Sequence, residues 1–307
     1  MDSRIILTQA DFSANNIGRY VELSDLTKKV LAKQRLYNLD SAEAIALDTF
    51  LANLTDGGFI GGSNPLFKYF IIPALASNDD ELLYNIAELD NDGYPIDKRS
   101  NAEKNATSSM KSFKLYTEND VVKGLYVTKD PDLSTSDFAA QRLQTLDNFF
   151  TKGAVYPAMS LCMWCPKVSL TSGDALFEIG GGYVFKMTTA LVGLYSANTS
   201  DKYLKASVSG LGNGFIGITC DEANSQLTTM LDNGVMGTVE SLNASSMKQS
   251  SYDDYYKNLS FGFGNNLSSR VFHASVIAFG NALTQEQMIQ FKSMLVAFLT
   301  SLNIITE

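Results

Sequence analysis

From the end of the Phe67–Leu75 run to about residue 280 the chain breaks into short β-prone runs set apart by Gly, Asn, Asp and Ser, and this spacing restricts the fold more than any other feature. The candidate strands are Phe113–Tyr116, Val122–Thr128, Met159–Val168, Ala175–Ile179, Tyr183–Met187, Ala190–Tyr195, Leu204–Val208, Gly214–Thr219, Gln226–Leu231, Val235–Val239, Leu259–Phe263 and Val271–Phe279. Many strands at such spacing imply a sandwich or barrel. Two connections carry turn chemistry for antiparallel hairpins. Gly180-Gly181-Gly182 joins two alternating runs, and in Asp232-Asn233-Gly234 the Asn-Gly pair supplies the positive φ angles of a type I′ turn.

Helical patterns bracket this region. Ser41 can cap a helix, Glu43 sits in its first turn, and Ala44, Ala46, Leu47, Phe50, Leu51 and Leu54 share a face before Gly57-Gly58 ends it. Phe67 to Leu75, with the β-branched pair Ile71-Ile72, reads as a buried strand. At the other end Thr284 and Gln287 form a capping box, and Met288, Phe291, Leu295, Phe298 and Leu302 make an apolar stripe that should pack along the sandwich. The first forty residues hold no single period and read as an arm or small substructure. No internal repeat or Pro/Gly-rich linker divides the remainder.

Of 307 residues, 45% are hydrophobic and 19% charged, which excludes wholesale disorder. Lys plus Arg number 24 against 33 for Asp plus Glu, a formal charge of −9 with no basic stripe, so a nucleic-acid partner is disfavoured. The longest apolar stretches fall far short of the roughly 20 residues that span a bilayer. The N-terminal residues lack a basic region followed by a long apolar core, so no secretory signal is expected. The triplets at Asn53, Asn105, Asn198, Asn243, Asn258 and Asn266 are therefore read as by-products of an Asn- and Ser-rich surface rather than glycan acceptors.

The search for catalytic chemistry returns little. Cys162-Met-Trp-Cys165 lies inside a strand-like run, where residues three apart point to opposite faces, and Cys220 stands alone, so packed free thiols are expected rather than a redox pair or zinc site. His273 is the single histidine, without a nucleophile elbow or a flanked cysteine, and is expected as a satisfied strand residue. Glu88-Leu-Asp90-Asn-Asp92-Gly93 resembles the start of a calcium loop, but Arg99 stands where a bidentate Glu belongs, so an EF-hand is excluded and a polar turn expected. Gly210-x-Gly212-x-Gly214 lacks the spacing and following helix of a phosphate loop. Glycoside hydrolysis needs two facing carboxyls, and the strands offer only Glu178 and the strand-end Glu240. No catalytic residue, metal ligand or cofactor is assigned, and a structural calcium ion stays an open alternative. One loop does suggest contact: Tyr252, Asp253, Asp254, Tyr255 and Tyr256 combine rings that stack on sugar faces with carboxylates that bind hydroxyls, or would anchor a protein partner or the sandwich edge itself.

The segment from Ala46-Leu-Asp-Thr-Phe-Leu-Ala-Asn-Leu54, through Ile-Pro-Ala-Leu75, to Val271-Phe-His-Ala-Ser-Val-Ile-Ala-Phe-Gly-Asn-Ala-Leu-Thr-Gln-Glu-Gln-Met288 resembles a concanavalin A-like (laminin-G-like) jelly roll, with Asn233-Gly234 matching its central hairpin turn. The opening helix and Asp11-Phe-Ser-Ala-Asn-Asn-Ile-Gly18 resemble versions found in tailed-bacteriophage virion proteins. The resemblance implies a mainly β, two-sheet antiparallel jelly-roll sandwich over 41–307, with helices near 41–54 and 284–302, an insertion around 78–150, and residues 1–40 as a docking arm. It implies a non-enzymatic structural component of a virion (head fibre, capsid decoration or tail-associated protein), made in the bacterial host cytoplasm, that meets other virion proteins and copies of itself. Binding of host-surface or environmental glycans is common in the family. A stand-alone carbohydrate-binding module and a glycan hydrolase or lyase are the alternatives. The resemblance transfers no residue-level site.

Overall fold

The computed structural model describes residues 22–34, 41–82, 84–87, 113–127, 143–144, 159–169, 175–179, 183–188, 191–196, 203–207, 212–221, 226–232, 236–240, 259–263 and 271–305. Its helices are α1 (Asp25–Gln34), α2 (Ser41–Asp56) and α3 (Gln285–Ser301). Its strands are β1 (Phe67–Ile71), β2 (Phe113–Glu118), β3 (Val121–Val127), β4 (Leu143–Gln144), β5 (Met159–Cys165), β6 (Val168–Ser169), β7 (Ala175–Ile179), β8 (Tyr183–Thr188), β9 (Leu191–Ser196), β10 (Tyr203–Ser207), β11 (Gly214–Asp221), β12 (Gln226–Leu231), β13 (Met236–Glu240), β14 (Leu259–Phe263), β15 (Val271–Ala274) and β16 (Val276–Asn281).

The expected antiparallel sandwich is present. One six-stranded sheet runs β1-β16-β5-β11-β12-β13, a second runs β10-β9-β8-β7-β14-β4, and β10 lies against β12 and β13 of the first. The hairpins expected at Gly180–Gly182 and Asp232–Gly234 pair antiparallel as β7 with β8 and β12 with β13. A third sheet, β2-β3-β15-β6, stands beside them.

Register explains why the first sheet is buried on both faces. Ile71, Ile277, Met163, Ile216 and Leu231 align as one cross-strand row, all buried. The neighbouring row, Phe70, Ala278, Cys162, Gly217 and Met230, faces the helices. Small residues fill its centre, so α3 can approach: a Cβ on Gly217 would sit 2.8 Å from the Phe215 ring and 2.7 Å from Met288 Sδ. Phe291 of α3 then reaches the middle of a ring cluster, 4.9 Å from Phe67, 5.7 Å from Phe59 and 6.1 Å from Phe70. Phe50 of α2 stacks on Phe298 at 4.4 Å. Each such buried side chain contributes about 1.5–3 kcal/mol.

Both long helices end as their sequences direct. Gly58, at φ 71°, lets Phe59 N–H reach Leu54 O and Gly58 N–H reach Thr55 O, the paired bonds of a Schellman cap. Asn303, at φ 55°, does the same for α3, with Ile304 N–H on Leu299 O. The Thr284–Gln287 capping box is formed at the other end of α3, and its stripe from Met288 to Leu302 is buried.

Local features differ from the sequence reading or add to it. The strand expected over Phe67–Leu75 stops at Ile71, because Pro73 has no N–H to give a ladder and instead begins a 3-10 turn over Pro73–Leu75. The strand expected over Val271–Phe279 breaks at Ser275. Its N–H donates to Trp164 O and its carbonyl accepts from Ala74 N–H, so the chain turns from the small sheet into the first one. Residues 25–34, within the stretch read as an arm or small substructure, form a helix with Val30 wholly buried in the core. Its cap Ser24 and Thr27 both donate to Asp48 Oδ1 of α2, at 2.6 and 2.7 Å. Within residues 78–150, β2 and β3 fall where strands were expected and β4 is added.

Candidate recognition surface

The β2–β3 hairpin closes through Asn119 and Asp120, both with positive φ (52° and 62°) and flanked by the pair Glu118–Val121, the geometry of a type I′ turn. Alternation then sorts the side chains of the small sheet. Leu125, Phe272 and Ala274 point into the core and are buried. Lys114, Tyr126 and His273 form a cross-strand row on the other face, each partly exposed, with Tyr116 beside them. The imidazole centre lies 4.0 Å from that of Tyr116 and 5.7 Å from that of Tyr126, both rings tilted to it. Three aromatic groups on one solvent-facing sheet make a platform rather than a core.

The polar groups around the platform are mostly engaged. Asp79, from the turn over Asp79–Glu81, accepts Leu115 N–H at 2.7 Å and Lys114 Nζ at 3.0 Å, so it both closes the open edge of β2 and neutralises Lys114. Glu118 accepts the Tyr116 hydroxyl, and desolvation, the Glu118 charge and that hydrogen bond together raise the tyrosine pKa. Lys167, between β5 and β6, accepts His273 N–H on its carbonyl at 2.9 Å, while its side chain is exposed and makes no ion pair among the described residues.

His273 sits on its expected strand but is not satisfied as expected. Its Nδ1 is buried and has no hydrogen-bond partner among the described residues, and the imidazole packs against the tilted rings of Tyr116 and Tyr126. Desolvation, then the Lys167 ammonium, hold its pKa down to about 4 against the opposing pull of Glu118. At neutral pH the imidazole is therefore uncharged and acts as a third aromatic surface.

Cys162 and Cys165 are free, fully buried and on opposite faces of β5, as their spacing dictates, and burial pushes both thiols up. Among the described residues no group of three or more His, Cys, Asp or Glu could hold a metal. No helix of the described residues is long and apolar enough to cross a membrane. The tyrosine loop (Tyr252, Asp253, Asp254, Tyr255, Tyr256) and Glu88–Gly93 lie outside the described residues. Glu178 lies on β7 opposite Ser260, and Glu240 ends β13 opposite Gln226. Sequence reasoning missed the platform, although Lys114-Leu-Tyr116 and Phe272-His273-Ala274 carry its alternation.

No protein-family model matches the chain, and no curated protein matches it in sequence. Among solved structures, the type G botulinum neurotoxin receptor-binding domain is 8% identical, with a TM-score of 0.46, over 76% of this chain and 52% of that one. The binding domain of botulinum neurotoxin DC in complex with SialylT is 12% identical at a TM-score of 0.37, over 50% of this chain and 39% of that one. The CBM40 of the Ruminococcus gnavus IT-sialidase, bound to α2,6-sialyllactose, is 13% identical at 0.32, over 45% of this chain and 84% of that one. Likenesses of this size carry no residue role to this chain.

Proposed function

We propose that the chain is a non-enzymatic recognition domain that binds glycans through the outer face of its small sheet. The observation that supports it is the row of Tyr126 and His273 with Tyr116 beside it, half-exposed rings on a rigid sheet with hydrogen-bonding groups at their rim. Rings placed this way offer an apolar face to the C–H side of a sugar, and the flanking Lys167 and Glu118 suit hydroxyls. Among the described residues the platform offers no facing carboxyl pair and no activated nucleophile: Glu118 accepts the Tyr116 hydroxyl, and the buried Nδ1 of His273 has no hydrogen-bond partner. A glycan array tests the reading. Wild type should bind where Tyr126→Ala does not, and equal binding by both, or by neither, overturns it. The tyrosine loop is tested on the same array with Tyr255→Ala and Tyr256→Ala, which remove it from consideration if they bind as wild type.

For the wider setting we propose a structural component of a bacteriophage virion, assembled from several copies. This rests on the resemblance of Asp11–Gly18 and of the opening helix to tailed-phage proteins and on the anionic, Asn/Ser-rich composition. Mass-calibrated light scattering should give a discrete oligomer, and the chain should co-purify with intact particles. A monomer absent from particles would leave the stand-alone carbohydrate-binding module.

A further inference from the structure

A charge tally of the platform leaves one cation over. From β2, Lys114 is neutralised by Asp79, while Glu118 accepts the Tyr116 hydroxyl and keeps its negative charge. Among the described residues, β3 and β15 add Tyr126 and a neutral His273, and Asp120 sits at the tip of the hairpin. From the β5–β6 turn comes Lys167, exposed, with no carboxylate partner among the described residues, and close enough to the imidazole to hold down its basicity. An ammonium without a partner beside an aromatic platform stands out on a chain whose net charge is −9. At physiological salt the distant negative charge is screened beyond about 8 Å, so the charges beside the rings, the Lys167 ammonium and the Glu118 carboxylate, decide what docks and where its anionic group lies.

We propose that the platform takes an acidic sugar, its apolar ring face lying on Tyr126 and Tyr116 and its anionic group meeting Lys167 Nζ. The proposal rests on the glycan reading and narrows it to saccharides carrying a carboxylate or an equivalent anion. The backbone bond between the Lys167 carbonyl and His273 N–H holds the Lys167 main chain beside the platform, so its side chain starts from the edge of the rings.

His273 is the single histidine of the chain, so its imidazole C–H resonances report on the platform without ambiguity. The full chain is titrated with methyl β-D-glucuronide and, separately, with methyl β-D-glucoside, at neutral pH and physiological salt. Both should move the His273 signals, and the glucuronide should bind about two- to fivefold tighter, the range of one exposed ion pair. Lys167→Gln should remove that difference and Lys167→Arg should keep it. The imidazole should also titrate at higher pH in the glucuronide complex, because the bound anion offsets the ammonium. Equal affinity for the two sugars, or a preference that survives in Lys167→Gln, overturns the acidic-sugar inference and leaves the glycan reading standing. His273 signals that respond to neither sugar overturn both.

Discussion

Lys123 offers a sharp test of how the small sheet is fastened to the helix layer. It is 6% exposed, and its ammonium donates to the carbonyls of Asn303 and Ile304, the last groups of the α3 cap, while its own carbonyl accepts Ser275 Oγ–H at the point where the chain changes sheets. Replacing it with Met keeps most of the volume and removes the charge. Two effects then oppose each other. The variant no longer has to bury an ammonium, which by itself favours Met. Against this, Ile304 O loses its buried donor and is left unsatisfied, costing about 1–3 kcal/mol, and the helix C-terminus loses a favourable cation, about 0.3–1 kcal/mol. Asn303 is exposed, so water can replace the donor at its carbonyl. The native ammonium is itself compensated by two charge-assisted bonds, so the loss should prevail and Lys123→Met should be about 2 kcal/mol less stable in urea titration, with an unchanged m value. Hydrogen exchange at the amides of Phe298 to Leu302 should rise first. A variant at least as stable as wild type, with those amides equally protected, would refute the reasoning.

Phe291→Ala removes the hub of the ring cluster and should cost about 3–5 kcal/mol in urea titration, whereas Ile289→Ala, two residues away and 49% exposed, should change stability by under about 0.5 kcal/mol. In a Cys220→Ser background, native protein should not react with a thiol reagent at pH 8 until urea unfolds it, since Cys162 and Cys165 are both fully buried with raised pKa values. Burial pushes Asp48 up, but the hydrogen bonds from Ser24 and Thr27 and the Lys28 charge outweigh it and its folded pKa is lowered. Its contribution is therefore present above the unfolded carboxylate value, about 3.9, and lost as pH falls through the lower folded value. Asp48→Asn should flatten the acid limb of stability against pH, measured between about pH 5 and pH 2.

The parts of this fold that were legible in the sequence are those whose cause is local. The Thr284–Gln287 capping box, the Met288–Leu302 stripe and the Gly57-Gly58 stop each depend on residues within one or two turns, and each formed as read. Gly217 and Ala278 look unremarkable in sequence, and only register reveals that they open a channel for Met288 and Phe291. Val30 carries no readable period because α1 buries a single narrow stripe against α2. The platform was missed for a similar reason: Tyr116, Tyr126 and His273 are spread over three strands, and Tyr116 and His273 are more than 150 residues apart, while the sequence from Tyr252 to Tyr256 concentrates similar residue types in five positions. A search for functional motifs favours adjacency in sequence, whereas antiparallel pairing builds its surfaces from adjacency across strands.

Gly124 shows how closely fold and platform depend on each other. Its φ of 139° lies where side chains are strained, and an added Cβ would sit 2.1 Å from Ala274 O and 2.8 Å from Ser275 Cα. These are backbone atoms, which cannot rotate away as a side-chain tip would. Gly124→Ala can therefore be accommodated only by moving β3 from β15, which parts Leu125 from Ala274 and Tyr126 from His273. Backbone strain of about 1–3 kcal/mol adds to an overpacking cost of about the same size, so a loss of roughly 2–6 kcal/mol is expected. Gly62→Ala is the control: φ is 69°, nothing lies within 4 Å of the added Cβ, and only the left-handed backbone penalty of about 1–2 kcal/mol applies. If strain alone governed both sites, the two variants would lose similar stability and the His273 imidazole signal would stay in place in each. If the close approach governs, Gly124→Ala loses markedly more, its His273 signal moves, and glycan binding falls with it. Equal losses and an unmoved histidine would refute the claim that this one contact sets the spacing of the aromatic row.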